Sequence, residues 1–90
     1  MRIKKDFVLR DVAGKKAIFC KGIKAIDFRK ILALNESAAW IWKEAEAQGE
    51  FTVESLTERV CEEYDVTNEE ARSSVKSFLE ELDKEGVIEK

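Results

Sequence analysis

The residue types that most often carry chemistry are either missing from this chain or set where they cannot act together. Histidine is absent, which removes the commonest general base and the commonest metal ligand. Cys20 and Cys61 stand far apart without a CxxC spacing, so they make no zinc site by themselves. Ser37, Ser55, Ser73, Ser74 and Ser77 have no imidazole to activate them, and no spacing points to a Ser–Lys pair. The acidic doublets Glu62-Glu63, Glu69-Glu70 and Glu80-Glu81 fall on the polar sides of predicted helices, where charged residues are solvated. Gly14, Gly22, Gly49 and Gly86 are isolated, which leaves neither a dinucleotide fingerprint nor a phosphate loop. Trp40 and Trp42 flank Ile41. On a helix they point about 200° apart, so at least one belongs to the core and the other is available as an interface anchor. An enzyme is thus the least supported class. No metal or cofactor is expected, and the chemistry left to the chain is recognition.

Composition bounds what can do the recognising. The chain has 90 residues, 44% hydrophobic and 39% charged. That suits one small domain over residues 1–90 with its own core, and not a disordered segment. No apolar run approaches the roughly 20 residues of a membrane span. The basic start Met1-Arg-Ile-Lys-Lys-Asp6 is not followed by the apolar stretch of a secretory signal, so a cytoplasmic location is expected. Both cysteines have apolar neighbours and read as buried free thiols of the core. The net charge of −3 conceals a division. Residues 1–30 hold ten basic and three acidic residues, a net of +7, and residues 31–90 hold six basic and sixteen acidic, a net of −10. Either the basic third attracts an acidic partner, or the two parts neutralise one another within the fold.

The elements that must position any site come in two blocks. Phe7–Val12 and Ala17–Cys20 read as strands separated by the turn signal at Ala13-Gly14-Lys15-Lys16, and a further turn at Lys21-Gly22 leads into a third extended stretch, Ile23–Leu32. Its alternation puts Ile26 and Phe28 on one face and Ala25, Asp27 and Arg29 on the other, but the adjacent Ile31 and Leu32 break the pattern. At Asn35 the period changes to that of a helix. Asn35 can cap it, Ala38, Ile41, Trp42 and Ala45 line one side, and Gly49 ends it. Thr52 starts a second helix with Leu56, Val60, Cys61 and Tyr64 inward. Ser55 makes only half a capping box with it, so the cap rests on the threonine. Thr67 and Glu70 form a full capping box for a third helix, whose Ala71, Val75, Phe78, Leu79 and Leu82 make a core stripe. Lys84-Glu85-Gly86 closes it, and Val87-Ile88 continues as an extended tail against the sheet. The fold class is therefore α+β, β-β-β-α-α-α: a three-stranded antiparallel sheet followed by three helices.

Leu34-Asn35-Glu36-Ser37-Ala38-Ala39 with Ile41-Trp42, the Gly49 turn into Thr52-Val53-Glu54-Ser55-Leu56, and Glu62-Glu63-Tyr64-Asp65-Val66 carry a resemblance. So do Glu69-Glu70-Ala71, Val75-x-x-Phe78-Leu79-x-x-Leu82 and the ending Gly86-Val87-Ile88. In order and spacing this segment resembles the coenzyme PQQ synthesis protein D (PqqD) family, with Gln48 and Ser74 standing where that family often has aspartate. The resemblance implies a winged-helix-like RiPP precursor recognition element without catalysis of its own. Such a domain binds the leader of a ribosomally made precursor peptide and presents it to a modifying enzyme, often a radical SAM enzyme. In this class the leader adds as a strand beside the third strand and rests against the third helix.

Strand addition uses backbone groups and needs no special side chain, which fits a chain without a catalytic motif. Carried onto this sequence, the docking edge is Ala25, Ile26, Asp27, Phe28, Arg29 and Lys30, and the helix wall is Arg72, Val75, Lys76 and Leu79. Arg29, Lys30, Arg72 and Lys76 would pair with acidic leader residues. For Ile26, Phe28, Val75 and Leu79 the competing reading is core packing. Two other binding classes compete. A DNA-binding winged helix would read with residues 67–85, but those hold three basic residues against six acidic ones, the wrong sign for phosphate. An adaptor subunit that contacts a folded enzyme without binding peptide would use an exposed tryptophan.

Overall fold

The computed structural model describes residues 1–21 and 28–90, with side chains described outside 21 and 28–31. The order is β1 (Arg2–Ile3), β2 (Phe7–Val12), β3 (Lys15–Lys21), β4 (Phe28–Leu34), α1 (Glu36–Gln48), α2 (Val53–Glu63), α3 (Asn68–Lys84) and β5 (Ile88–Glu89). The expected three-stranded antiparallel sheet followed by three helices is present, with strand order β2-β3-β4.

The first hairpin is tighter than expected. Val12 pairs with Lys15, so Lys15 and Lys16 belong to β3 and the loop is Ala13-Gly14 alone. Both loop residues have positive φ, 54° and 79°, as a two-residue hairpin turn of the primed kind requires. The turn expected at Lys21-Gly22 and the start expected for the third strand at Ile23 lie outside the described residues. That strand ends two residues later than expected, at Leu34. The broken alternation at Ile31 and Leu32 has a structural cause. Ile18 pairs with Leu32 and Phe19 with Lys30, so Ile31 is the extra residue of a register shift, and the period-2 pattern slips there.

Each helix starts on a side-chain cap. Asn35 accepts from the Ala38 N–H at 2.8 Å. Thr67 accepts from the Glu70 N–H at 3.1 Å, and Glu70 reaches back to it. At α2 the expected half box is a whole one: Thr52 accepts from the Ser55 N–H at 3.0 Å, and Ser55 Oγ accepts from the Thr52 N–H at 2.9 Å. A serine hydroxyl can close the box where Glu or Gln is usual, because it is short but able to accept. Gly86 ends α3 in a Schellman turn, with Gly86 N–H donating to Asp83 and Val87 N–H to Leu82, at a φ of 74° that suits glycine.

That turn redirects the tail. Ile88 pairs with Ile3 and Glu89 with Arg2, so the tail joins β1 in a separate two-stranded sheet and does not extend the main one. Backbone bonds between Met1 and Phe51 and the Arg2–Glu50 ion pair at 2.6 Å tie this sheet to the α1–α2 loop. One core spans Ile18 of the sheet, Trp42, Phe51, Leu56, Val75, Leu82 and Val87. Cys20 and Cys61 are half-buried, not fully buried as expected, with Cys61 packed at the core's margin. No helix among the described residues is long and apolar enough to cross a membrane.

Candidate functional site

Among the described residues, strand β4 is an edge: it pairs with β3 on one side, and edge strands offer unpaired N–H and C=O groups on the other. Its last residue, Leu34, leads directly into the α1 cap, and a groove opens there between the start of α1 and one side of α3. Two cavities form the groove. One of ≈ 370 Å³ is bounded by Asn35, Ala38, Ser73, Ser77, Phe78 and Glu81. The other, ≈ 230 Å³, is bounded by Val60, Tyr64, Val66, Glu70 and Ala71. Ser37, Ile41 and Ser74 line both, so the two are continuous.

The chemistry changes along this groove. One end is apolar and accessible, with Tyr64 37% and Val66 39% exposed. Serines form the middle of the α3 wall, and Glu81 stands at the far end. Glu70 is already engaged, its carboxylate accepting from the Thr67 hydroxyl at 2.9 Å. Ser37 donates to the capping oxygen of Asn35 at 3.0 Å, which fixes the rim beside β4.

The residues expected to form the site are distributed differently. Ala25, Ile26 and Asp27 lie outside the described residues. Phe28, Arg29 and Lys30 are in β4, in register with Lys21, Cys20 and Phe19. Val75 is 0% and Leu79 5% exposed, and both belong to the core cluster. Arg72 pairs with Glu54 of α2 at 3.2 Å, and Lys76 follows one turn later. At 100° per residue these two stand about 160° from Ser74 around the helix. The structure therefore does not bring Arg72 and Lys76 to the groove. The side of α3 that lines it is Ser73, Ser74, Ser77, Phe78 and Glu81. A sequence signal for it exists: Ser73-Ser74-x-x-Ser77 recurs at helical spacing, and serines are poor choices for a helix interior unless something needs the room.

A second cluster lies on α1 and α2. Trp42 is buried, whereas Trp40 is half-buried and meets Tyr64 edge to face at 5.6 Å. The Arg59 guanidinium sits 5.9 Å from the Trp40 ring. It also donates to Glu44 at 2.9 Å and to Glu62 at 2.8 Å, contacts that raise its pKa further above the ordinary arginine value. The buried Trp42 indole nitrogen has no hydrogen-bond partner of acceptable geometry. Glu46 is the acid one turn away, and burial, opposed by this indole and by Lys43, raises its carboxyl above the usual range. The basic and acidic parts of the chain meet at Glu50, which pairs with Arg2 and the N-terminal ammonium. No group of acidic and cysteine side chains among the described residues is arranged to hold a metal ion.

Comparison with known proteins agrees with the layout. A solved structure described as "TbiB1 in Complex with the TbiA(beta) Leader Peptide" is similar over 99% of this chain and 95% of that one, with a TM-score of 0.73 at 18% identity. This likeness is one of fold. No curated protein gives a significant match. The sequence profile described as Coenzyme PQQ synthesis protein D (PqqD) matches residues 23–88, from just before β4 to the first residue of β5, and the chain belongs to that family.

Proposed function

We propose that this domain is a RiPP recognition element: it binds the leader of a ribosomally made precursor peptide and presents it to a modifying enzyme such as a radical SAM enzyme. The observation that carries this reading is the open β4 edge running into a continuous groove against α3. A leader strand can take its backbone hydrogen bonds from β4 and lay alternate side chains into the groove. The solved structure with a similar fold was determined with a leader peptide, which supports the same use here. On this reading the strand side of the site spans Ala25, Ile26, Asp27, Phe28, Arg29 and Lys30. Val75 and Leu79 act from beneath, holding α3 at the distance that keeps the groove open. The domain works without chemistry of its own and acts in the cytoplasm, where such precursors are made. The Trp40–Tyr64–Arg59 cluster favours a second contact, because half-exposed aromatics beside arginine suit a protein interface. It is the surface we assign to the modifying enzyme.

The test is a titration of isotope-labelled protein with peptides selected from a displayed random library, followed by backbone amide shifts. Shifts on residues 28–34 and 73–81 are expected. Shifts confined to Trp40, Arg59 and Tyr64 would replace leader binding by the adaptor reading. A proline at Arg29 should abolish binding in a folded variant, because proline removes a backbone N–H donor from the docking strand. Unchanged affinity would remove β4 as the docking edge.

A further inference from the structure

We infer that Glu81 makes the groove selective for a leader segment with a lysine or arginine set four or five positions from an apolar side chain. The inference rests on the leader-binding reading and names the peptide chemistry that reading leaves open. Glu81 is exposed and lines the groove, and among the described residues it has no ion pair. Of the other acids on and around α3, Asp83 pairs with Lys90 at 3.0 Å and Glu70 engages the α3 cap, while Glu80 and Glu85 do not line the groove. The basic residues Arg72 and Lys76 face away, and Lys84, three residues on, makes no ion pair with Glu81 among the described residues.

Between Glu81 and the apolar end, the wall is Ser73, Ser74 and Ser77. Their small side chains let an extended backbone come close, and their hydroxyls can bond it. At the apolar end Ile41, Val60, Val66 and Ala71 suit one aliphatic or aromatic side chain. Ala71 and Glu81 are ten residues apart on α3, about 15 Å at 1.5 Å per residue. An extended peptide rises about 3.3 Å per residue, so its two anchors fall four or five positions apart. A leader base opposite Glu81 gains a charge-assisted hydrogen bond. A leader acid there meets a like charge, and this repulsion excludes competing peptides.

The experiment is selection of phage-displayed random twelve-residue peptides on the wild-type domain and on Glu81→Lys, with fluorescence anisotropy on the best peptides. Wild-type selections should converge on Lys or Arg at the stated spacing from an apolar residue, and Glu81→Lys selections on Asp or Glu at the same place. Glu81→Lys should weaken the best wild-type peptide about fivefold or more, and reversing the peptide's charge should restore it. The same peptides emerging from both selections, with affinities within twofold, would overturn this inference and leave leader binding standing. Failure of both proteins to enrich any peptide would overturn both. Glu81 is exposed, so an unchanged melting temperature of the variant confirms that the comparison concerns binding.

Discussion

The sides of α3 do different work. Ala71, Val75, Leu79 and Leu82 are buried in the core, while Ser73, Ser74, Ser77 and Glu81 face the groove. A third strip, Arg72 and Lys76, turns toward α2 and solvent, with Arg72 on Glu54. The core side is chosen for size and shape, the groove side for being small and polar. A helix built this way can hold its place rigidly while leaving one strip free for a guest, because stability and recognition draw on different residues.

The largest effect that could break this division is Leu79→Ala. A side chain 5% exposed should cost about 3 kcal/mol on truncation, seen as a marked fall in melting temperature. A stable variant that loses peptide binding would move Leu79 to the groove. Ser74→Trp sharpens the contrast from the other side. Filling the groove should weaken peptide binding about tenfold or more at a melting temperature changed by only about 3 °C.

The smallest effect belongs to the third strip. The backbone N–H at the start of α2, then Arg72, hold the Glu54 carboxyl below its ordinary value of 4.5. A depressed acid stabilises the fold above its unfolded pKa, and that contribution is lost as pH falls through the folded value. Arg72→Gln should therefore lower the melting temperature slightly at neutral pH, and the difference from wild type should shrink as pH falls through the depressed carboxyl and vanish once Glu54 is protonated in the folded state. A difference that persists at low pH would mean Arg72 acts through packing.

Much of this was legible in the residues because local signals and the global fold agree. Asn35, Thr52, Thr67, Gly49 and Gly86 announce helix ends by chemistry that acts within a few residues. The core stripe of α3 follows from its period. What periodicity does not contain is which polar strip of a helix lines a groove. Charge draws attention to Arg72 and Lys76, whereas Ser73, Ser74 and Ser77 invite only the question of nucleophilic activation, not that of a groove wall. The two-residue strands β1 and β5 carry no pattern to read, since two positions show no alternation. The later end of β4 was hidden by Ile31, whose extra place in the ladder makes a continuous strand look finished.

That extra residue has a consequence for solubility. An open edge is the usual starting point for chains to stack into fibrils, and proteins blunt such edges with irregularities. Ile31 divides β4 into Phe28–Lys30 and Leu32–Leu34, three residues on either side. A short guest strand can use either run, but a second copy of the same edge meets the kink at once and cannot extend a flat cross-β stack past it. The bulge lets the domain keep an edge exposed for one partner without offering it to every other.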